Sequence, residues 1–278
     1  MDRPLSSATS TSRRFFRRLA AAVDDDLIPK NPCHAQSVRT PKREPSHVIP
    51  WEQERVRAVS DALPERYVVA ATLAAGLGLR QGEVFGLSPG DIDFLRGVVK
   101  VRRQVRLFAD GSKAFRLPKG KRERTIPLPE SVLDGLAAPL TEFPACAVTL
   151  PWQMPDGDPV TVELVLTSPQ GSALDRNAFN DRVWARALRT AGVDLRRDNG
   201  MHALRHFYAS VLLDAGESVK AVSEYLGHTD PGFTLRTYTH LLPTSHERTR
   251  RAVDAVLCVP RVYSSDADPA SAQVSGGV

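Results

Sequence analysis

Apolar positions recur at helical spacing over much of the chain and switch to strict alternation in its middle. From Trp51 onward, Val56, Val59 and Leu63 mark one helix face, and residues 65–77 mark a more fully buried helix. The stretches "GVVKVRRQVRLF" and "KAFRLP" alternate apolar and basic residues around Asp110-Gly111, a strong hairpin signal. "RTIPL" can supply a third short strand, residues 130–138 read as a helix, and "TVELVLT" reads as a strand. Helical segments follow near 175–191, 202–214, 218–226, 232–240 and 246–257. Gly216 and Gly227 sit where helix C-caps belong, and Asp230-Pro231 supplies an N-cap and a first-turn proline. The pattern predicts an α+β fold, mainly α-helical, with a small antiparallel β-sheet.

The two ends read differently. Residues 11–26 fit one helix, with Phe15, Leu19 and Val23 on one face and four arginines beside it. The Arg/Ser-rich start would also describe an organelle transit peptide, but Asp24, Asp25 and Asp26 directly afterwards argue against that. Five prolines within residues 28–50 read as an extended linker. The Ser/Ala/Asp/Gly-rich end is expected to be disordered. The chain therefore divides into a basic helix and linker (1–45), a globular domain (46–258) and a tail (259–278), with no internal repeat.

Composition narrows the function. At 278 residues and 42% hydrophobic content, the chain can build one large domain with appendages. No apolar run approaches the roughly 20 residues that span a bilayer, so no membrane partner is expected. Cys33, Cys146 and Cys258 are scattered without CxxC spacing, which suits reduced thiols in a cytoplasmic protein and neither a disulfide framework nor a zinc site. Net charge is +5, but residues 100–124 alone hold ten Lys/Arg against Asp110 and Glu123. Residues 1–43 are also basic, and the remainder is acidic on balance. Two concentrated basic segments point to a polyanion bound at a defined face.

Candidate chemistry lies in short stretches. "GLGLRQGEVFGL" places Arg80 ahead of Glu83, and "LPKGKRERTIPL" offers Lys119 at the edge of the basic hairpin, with Lys113 and Lys121 close by. "MHALRHFYAS" sets His202 and Arg205 at i and i+3 on a helix whose Leu204, Phe207 and Val211 face the core. "YLGHTDP" puts His228 in a turn past a helix end, and "FTLRTYTHL" offers Tyr238 on the next short helix. In this order Arg, Lys, His-x-x-Arg, His and Tyr resemble the active site of the tyrosine recombinases, the phage integrase family, from about Val48 to about Val256. "GLRQGE", "HALRH", "LGHTDP" and "RTYTHL" are each close to that family's motifs.

The resemblance implies site-specific DNA cleavage and rejoining. Arg80 and Arg205 would hold the non-bridging phosphate oxygens with paired donors, for which lysine is a poor substitute. Tyr238 would be the nucleophile, giving a 3′-phosphotyrosyl link and a free 5′-hydroxyl. A phenol has an ordinary pKa near 10, so it needs a proton acceptor. His202 is the expected acceptor, His228 would donate to a phosphate oxygen, and Lys119 would protonate the leaving 5′ oxygen. Rejoining then requires neither ATP nor metal, and no cofactor is expected. Glu83 is expected to hold Arg80 or His202 in place. His206, at i+4 from His202, invites a metal-pair reading, but Ala203 stands where an HExxH motif carries glutamate. His206 is therefore read as supporting the site, and Tyr208 and Tyr225 as packing residues. Arg102, Arg103, Arg106, Lys121 and Arg122 are expected to contact the DNA backbone. His240 matches a common family feature without an arguable role.

Expected partners are double-stranded DNA and further recombinase protomers, a tetramer in the synapse. The family usually carries a helical DNA-gripping domain ahead of the catalytic one. Here the resemblance to it covers at most residues 11–26 and the linker, as though the front were shortened. Two rivals remain. A type IB topoisomerase-like enzyme would relax DNA without recombining specific sites, and a non-catalytic integrase remnant would bind DNA without forming a covalent adduct.

Overall fold

In the computed structural model, the residues described are 15–16, 18–35, 48–239, 250, 253 and 254. The chain divides into two units, Met1–Leu242 and Pro243–Val278, and the elements described belong to the first. The predicted tail, the predicted helix 246–257 apart from residues 250, 253 and 254, and His240 lie outside the described residues. So do residues 1–14 of the front and 36–47 of the linker.

Helix periodicity translates directly into packing. α1 (Gln53–Asp61) turns Val56 and Val59 inward, and α2 (Glu65–Leu77) buries Val69, Ala70, Leu73, Ala74 and Leu77. The all-round apolar character of α2 suits its place between α4 (Glu130–Glu142) and α6 (His202–Asp214), both of which pack on it. α3 (Gln81–Phe85) is a short helix directly after α2. α5 is a composite of Arg176–Phe179, a π-helical turn Asn180–Trp184 and Ala185–Thr190, capped by Asp175 accepting from Ala178 N at 2.8 Å. α7 (Val219–Leu226) and α8 (Pro231–Tyr238) begin with side-chain caps from Ser218 and Asp230.

The core face of α6 differs from expectation. Leu204 is fully buried and Phe207 partly so, but Val211 is exposed. The face runs through Leu204, Tyr208, Ala209 and Leu213 instead. The last three join Val222 and Leu226 of α7 and Tyr238 of α8 in a second apolar cluster. α7 and α8 supply the partners, and that choice is tertiary.

The β structure is divided among three sheets where the sequence predicts one small antiparallel sheet. β1 (Ile92–Asp93), β2 (Val98–Val101) and β5 (Arg124–Pro127) form one antiparallel sheet, with Val99 opposite Ile126, both fully buried. β3 (Gln104–Leu107) and β4 (Lys113–Arg116) form the expected hairpin around Asp110-Gly111, but as a separate sheet. The alternating run breaks at Arg102-Arg103. Continued alternation would send Arg103 to the core beside Val101 and Val105; the break delivers it to buried Asp91, with bonds of 2.7 and 3.0 Å. A third sheet joins the predicted strand, β7 (Pro159–Leu164), to β6 (Cys146–Pro151), where the apolar pattern predicts no element. Of the front helix, residues 15–16 and 18–24 are helical. Phe15 is exposed, and Leu19 and Val23 are only partly covered.

Candidate active site

Three successive backbone carbonyls organise the site. A helix C-terminus leaves its last carbonyls without intrahelical donors. In α7, Gly227 adopts the left-handed conformation (φ +62°), and the Ser223 and Glu224 carbonyls accept from His228 N and Gly227 N. The next three carbonyls are taken by arginines from three other segments. Arg124 Nε donates to Tyr225 O at 2.7 Å, Arg205 Nη2 to Leu226 O, and Arg80 Nη2 to Gly227 O at 3.2 Å. Arg205 Nη1 also donates to Gly78 O at 2.6 Å, where α2 ends in the same left-handed turn. The negative ends of two helices thus hold the guanidinium groups, and the helix dipoles favour cations there. Glycine is required at both turns. A Cβ on Gly227 would lie 3.0 Å from Arg124 Cδ, and one on Gly78 would run into the Tyr208 ring.

Glu83 supplies the counter-charge. Its carboxylate is 1% exposed and accepts a fork from Arg124 (2.9 and 2.7 Å), together with Arg80 Nη1 and Arg80 N at 2.9 Å each. Burial alone would raise the Glu83 pKa. The hydrogen bond and charge of Arg124, with the charges of Arg80 and Arg205, overcome it and hold the group at about 2. Glu83 therefore braces Arg80 and Arg124, and among the described residues it makes no hydrogen bond to His202. Arg205 is 1% exposed, and burial pushes its pKa down to about 9, still charged at neutral pH.

Around this cradle lies a cleft of about 470 Å³. Arg80, Lys119, His202, Arg205 and His228 line it, five of the six side chains singled out from sequence. His228 Nε2 lies 3.2 Å from Arg205 Nη2, and its Nδ1 lies 2.6 Å from Thr234 Oγ1. Because a guanidinium only donates, Nε2 accepts and Nδ1 carries the proton. In this arrangement Nε2 has no proton to give a phosphate. Burial, then Arg205, Arg80, His202 and Arg124, push the His228 imidazole down to about 3. His202 stays open to solvent on its cleft side. Crowding by the cleft walls, then His206, Arg205, Arg80 and Lys119, bring it to about 3 as well. Both rings are neutral at ordinary pH in this arrangement.

The sixth side chain does not line the cleft. Tyr238 is 2% exposed, at the end of α8, with its hydroxyl 2.6 Å from His206 Nδ1. His206 packs edge-on against His202, ring centres 4.6 Å apart. Burial pushes the Tyr238 phenol up to about 12, against the opposing charge of Arg205.

The lysines separate cleanly. Lys119 is exposed at the cleft on the turn between β4 and β5, whose Gly120 lies against Thr229. Lys121 closes that turn at φ +56°, and Lys113 donates to Ala173 O at 2.8 Å. Of the arginines expected at DNA, Arg103 is locked onto Asp91 and Gly86 O, and Arg102 lies 3.8 Å from Asp91. Arg106, Lys121 and Arg122 are exposed. Arg106 lines a second cleft that shares Arg80 and His202 and also carries Arg176. Sequence reasoning missed Arg124, Arg176 and Thr234. Arg124 had a usable signal: period two puts it on the same face of "RTIPL" as buried Ile126. Among the described residues no group of three or more His, Cys, Asp or Glu is placed to hold a metal ion, and no helix is long and apolar enough to cross a membrane.

Residues 52–245 match the phage integrase family. A tyrosine recombinase XerC-like protein of Caldanaerobacter subterraneus subsp. tengcongensis is 30% identical over 241 residues, 80% of this chain and 59% of its own length. A putative prophage phiRv2 integrase of Mycobacterium tuberculosis is 27% identical over 80% of this chain and 55% of its own. The chain thus spans little more than half of these relatives. Among solved structures, a Tn1549 transposon integrase in complex with a circular intermediate DNA superposes with a TM-score of 0.64 at 21% identity, covering 91% of this chain and 79% of that one. The XerA recombinase superposes at 0.52 and 20% identity, covering 79% and 68%. These two share the fold.

Proposed function

Because the chain belongs to the phage integrase family, we propose that it is a tyrosine recombinase, cleaving and rejoining DNA at specific sites through a 3′-phosphotyrosyl intermediate. The observation that carries this reading is the pair Arg80 and Arg205, fixed on helix ends at one cleft with Tyr238 packed behind it. Each guanidinium keeps N–H groups beyond its bonds to carbonyls and Glu83, and these suit the non-bridging oxygens of a phosphodiester. Held rigidly by protein acceptors, they favour the charge that builds at phosphorus without reorganising during the reaction.

Tyr238 attacks phosphorus and Lys119 protonates the departing 5′ oxygen. Lys119 sits on an exposed turn at the cleft and has the freedom to follow that oxygen. An arriving phosphodiester offsets the cationic field and raises the proton affinity of His202 and His228. His228 can then take a second proton and donate from Nε2. The phosphotyrosyl ester conserves the bond energy, so the reverse attack rejoins DNA without ATP or metal. DNA phosphates beyond the cleaved one would follow the second cleft past Arg106 and Arg176. We assign this chemistry to residues 46–258 acting in the cytoplasm with further protomers on DNA. Residues 1–45 are then the last helix and linker of a DNA-gripping domain.

A nicked duplex that loses its 5′-hydroxyl fragment tests the reading by trapping the covalent intermediate. Wild type should give a protein–DNA band that survives denaturation, and Tyr238→Phe should give none. An undiminished band from Tyr238→Phe would overturn the assignment. Absence of any wild-type adduct despite DNA binding would favour a non-catalytic binding module.

A further inference from the structure

We infer that His206, in place of His202, takes the proton from the Tyr238 hydroxyl as the tyrosine attacks DNA. This rests on the recombinase reading above. Three observations support it. His206 Nδ1 stands 2.6 Å from the Tyr238 oxygen, within direct transfer distance. Tyr238 is 2% exposed, so bulk water is a poor recipient for its proton. Among the described residues no hydrogen bond joins His202 to Tyr238; His202 faces the cleft and meets His206 edge-on. The acceptor follows Arg205 directly on α6, so one helix turn presents both a phosphate clamp and a base.

In the Nε2-protonated tautomer the Nδ1 lone pair accepts from the phenol. During attack the Tyr238 O–H bond breaks and its proton passes to Nδ1, while the phenolate pair forms the new O–P bond. The P–O5′ bond breaks, its electron pair stays on the 5′ oxygen, and Lys119 supplies that oxygen's proton. His206, now an imidazolium, stands beside the phosphotyrosyl oxygen. It can return the proton to the departing phenolate when a 5′-hydroxyl attacks in the rejoining step. Burial, and then Arg205 on α6, push the His206 imidazole down to about 4, and the anionic phosphodiester in the cleft offsets the charge of Arg205.

The contact has one competing meaning: a resting clasp that holds the hydroxyl away from DNA. Fluorinated tyrosine at position 238 separates the two, because its phenol is more acidic and needs less help to lose the proton. Single-turnover cleavage of the nicked substrate should be about 100-fold slower for His206→Ala. The fluorinated residue should restore most of that loss, while changing wild type little. His206→Asn, which keeps an acceptor without a basic nitrogen, should stay slow. Cleavage by His206→Ala as fast as wild type or faster would establish the clasp and overturn the inference. So would full activity of His206→Asn, or an equal gain from the fluorinated residue in both backgrounds. Fluorotyrosine rescue of His202→Ala but not of His206→Ala would give the role to His202. A wild-type protein that forms no adduct at all would bring down the recombinase reading and this inference together.

Discussion

The arginines of the cradle and the exposed arginines Arg106 and Arg122 carry the same charge under opposite conditions. Arg80, Arg124 and Arg205 are scattered in sequence, nearly buried, and docked on successive carbonyls of one helix end. Arg106 and Arg122 stand in solvent, in the same basic run that supplies Arg124. The cradle fixes geometry before any anion arrives. On the recombinase reading, the exposed cations would contribute field and counterion release instead. Membership of a basic run therefore does not tell bracing arginines from exposed ones, since Arg122 and Arg124 stand two residues apart in the same run.

The sharpest test removes one cation from each set. Arg205→Ala should slow adduct formation about 1,000-fold, the order expected for a lost charge-stabilising donor. It also strips the Gly78 and Leu226 carbonyls of their donor, costing roughly 1–3 kcal/mol for each buried group left unpaired. Arg205→Lys keeps the charge but not the fork, so it should remain severely slow. Arg122→Ala should change neither cleavage nor melting temperature measurably. Comparable losses at the two positions would erase the distinction.

Acid should weaken the cradle through Glu83. Glu83 sits at about 2 in the fold against roughly 4.3 in an unfolded chain. Its contribution is thus fully present above the ordinary carboxylate range and is lost as pH falls toward and through the folded value. A gap of that size corresponds to a contribution on the order of 3 kcal/mol. Urea unfolding followed between pH 5 and pH 2 should show a stability loss that Glu83→Gln largely removes. The variant should be less stable at neutral pH, because Arg80 and Arg124 keep buried charges without their partner. An unchanged pH profile would mean that Glu83 is not the brace.

The contrast also explains what could be read from the chain. Residues 65–77 were legible as a helix from their length and all-round apolar character and 202–214 from apolar positions at helical spacing, and α2 and α6 occupy those spans. Five of the six side chains singled out, each within a short contiguous motif, line the cleft. The pairing of strands was not legible, since local alternation cannot report that buried Asp91 draws Arg103 out of the run. Likewise nothing local says that α8 packs with His206 and not His202 facing Tyr238. Arg124 fell between these cases: its inward register was readable, but the Glu83 it meets lies 41 residues away.

Lys119 probes the flexible side of the comparison. Replacing the 5′-bridging oxygen by sulfur gives a leaving group that needs no proton. Lys119→Ala should be about 100-fold slow on ordinary DNA and near wild type on the sulfur substrate. Lys121→Ala should be close to wild type on both, since Lys121 does not line the cleft. Rescue confined to Lys121→Ala would transfer the proton-donor role to that residue.

The smallest effect lies within the basic strands themselves, where two arginines three residues apart should behave as different kinds of residue. Arg106 is exposed and reaches the cleft beside Arg80, so it is free to neutralise a phosphate. Arg103 is tied to Asp91 by a two-pronged bond and to the Gly86 carbonyl, with its side chain 12% exposed. Each phosphate neutralised releases counterions, so loss of one contact lowers the slope of log affinity against log salt by about 1. Arg106→Ala should show that change on random duplex DNA at unaltered melting temperature. Arg103→Ala should keep the wild-type slope and melt lower, because Asp91 stays 2% exposed with Arg102 3.8 Å away as its remaining cation. Salt titrations by fluorescence anisotropy, paired with thermal melts, separate the two outcomes. If Arg103→Ala loses the slope increment and keeps its stability, Arg103 faces DNA in solution and the division between bracing and field-forming arginines does not hold for the strands.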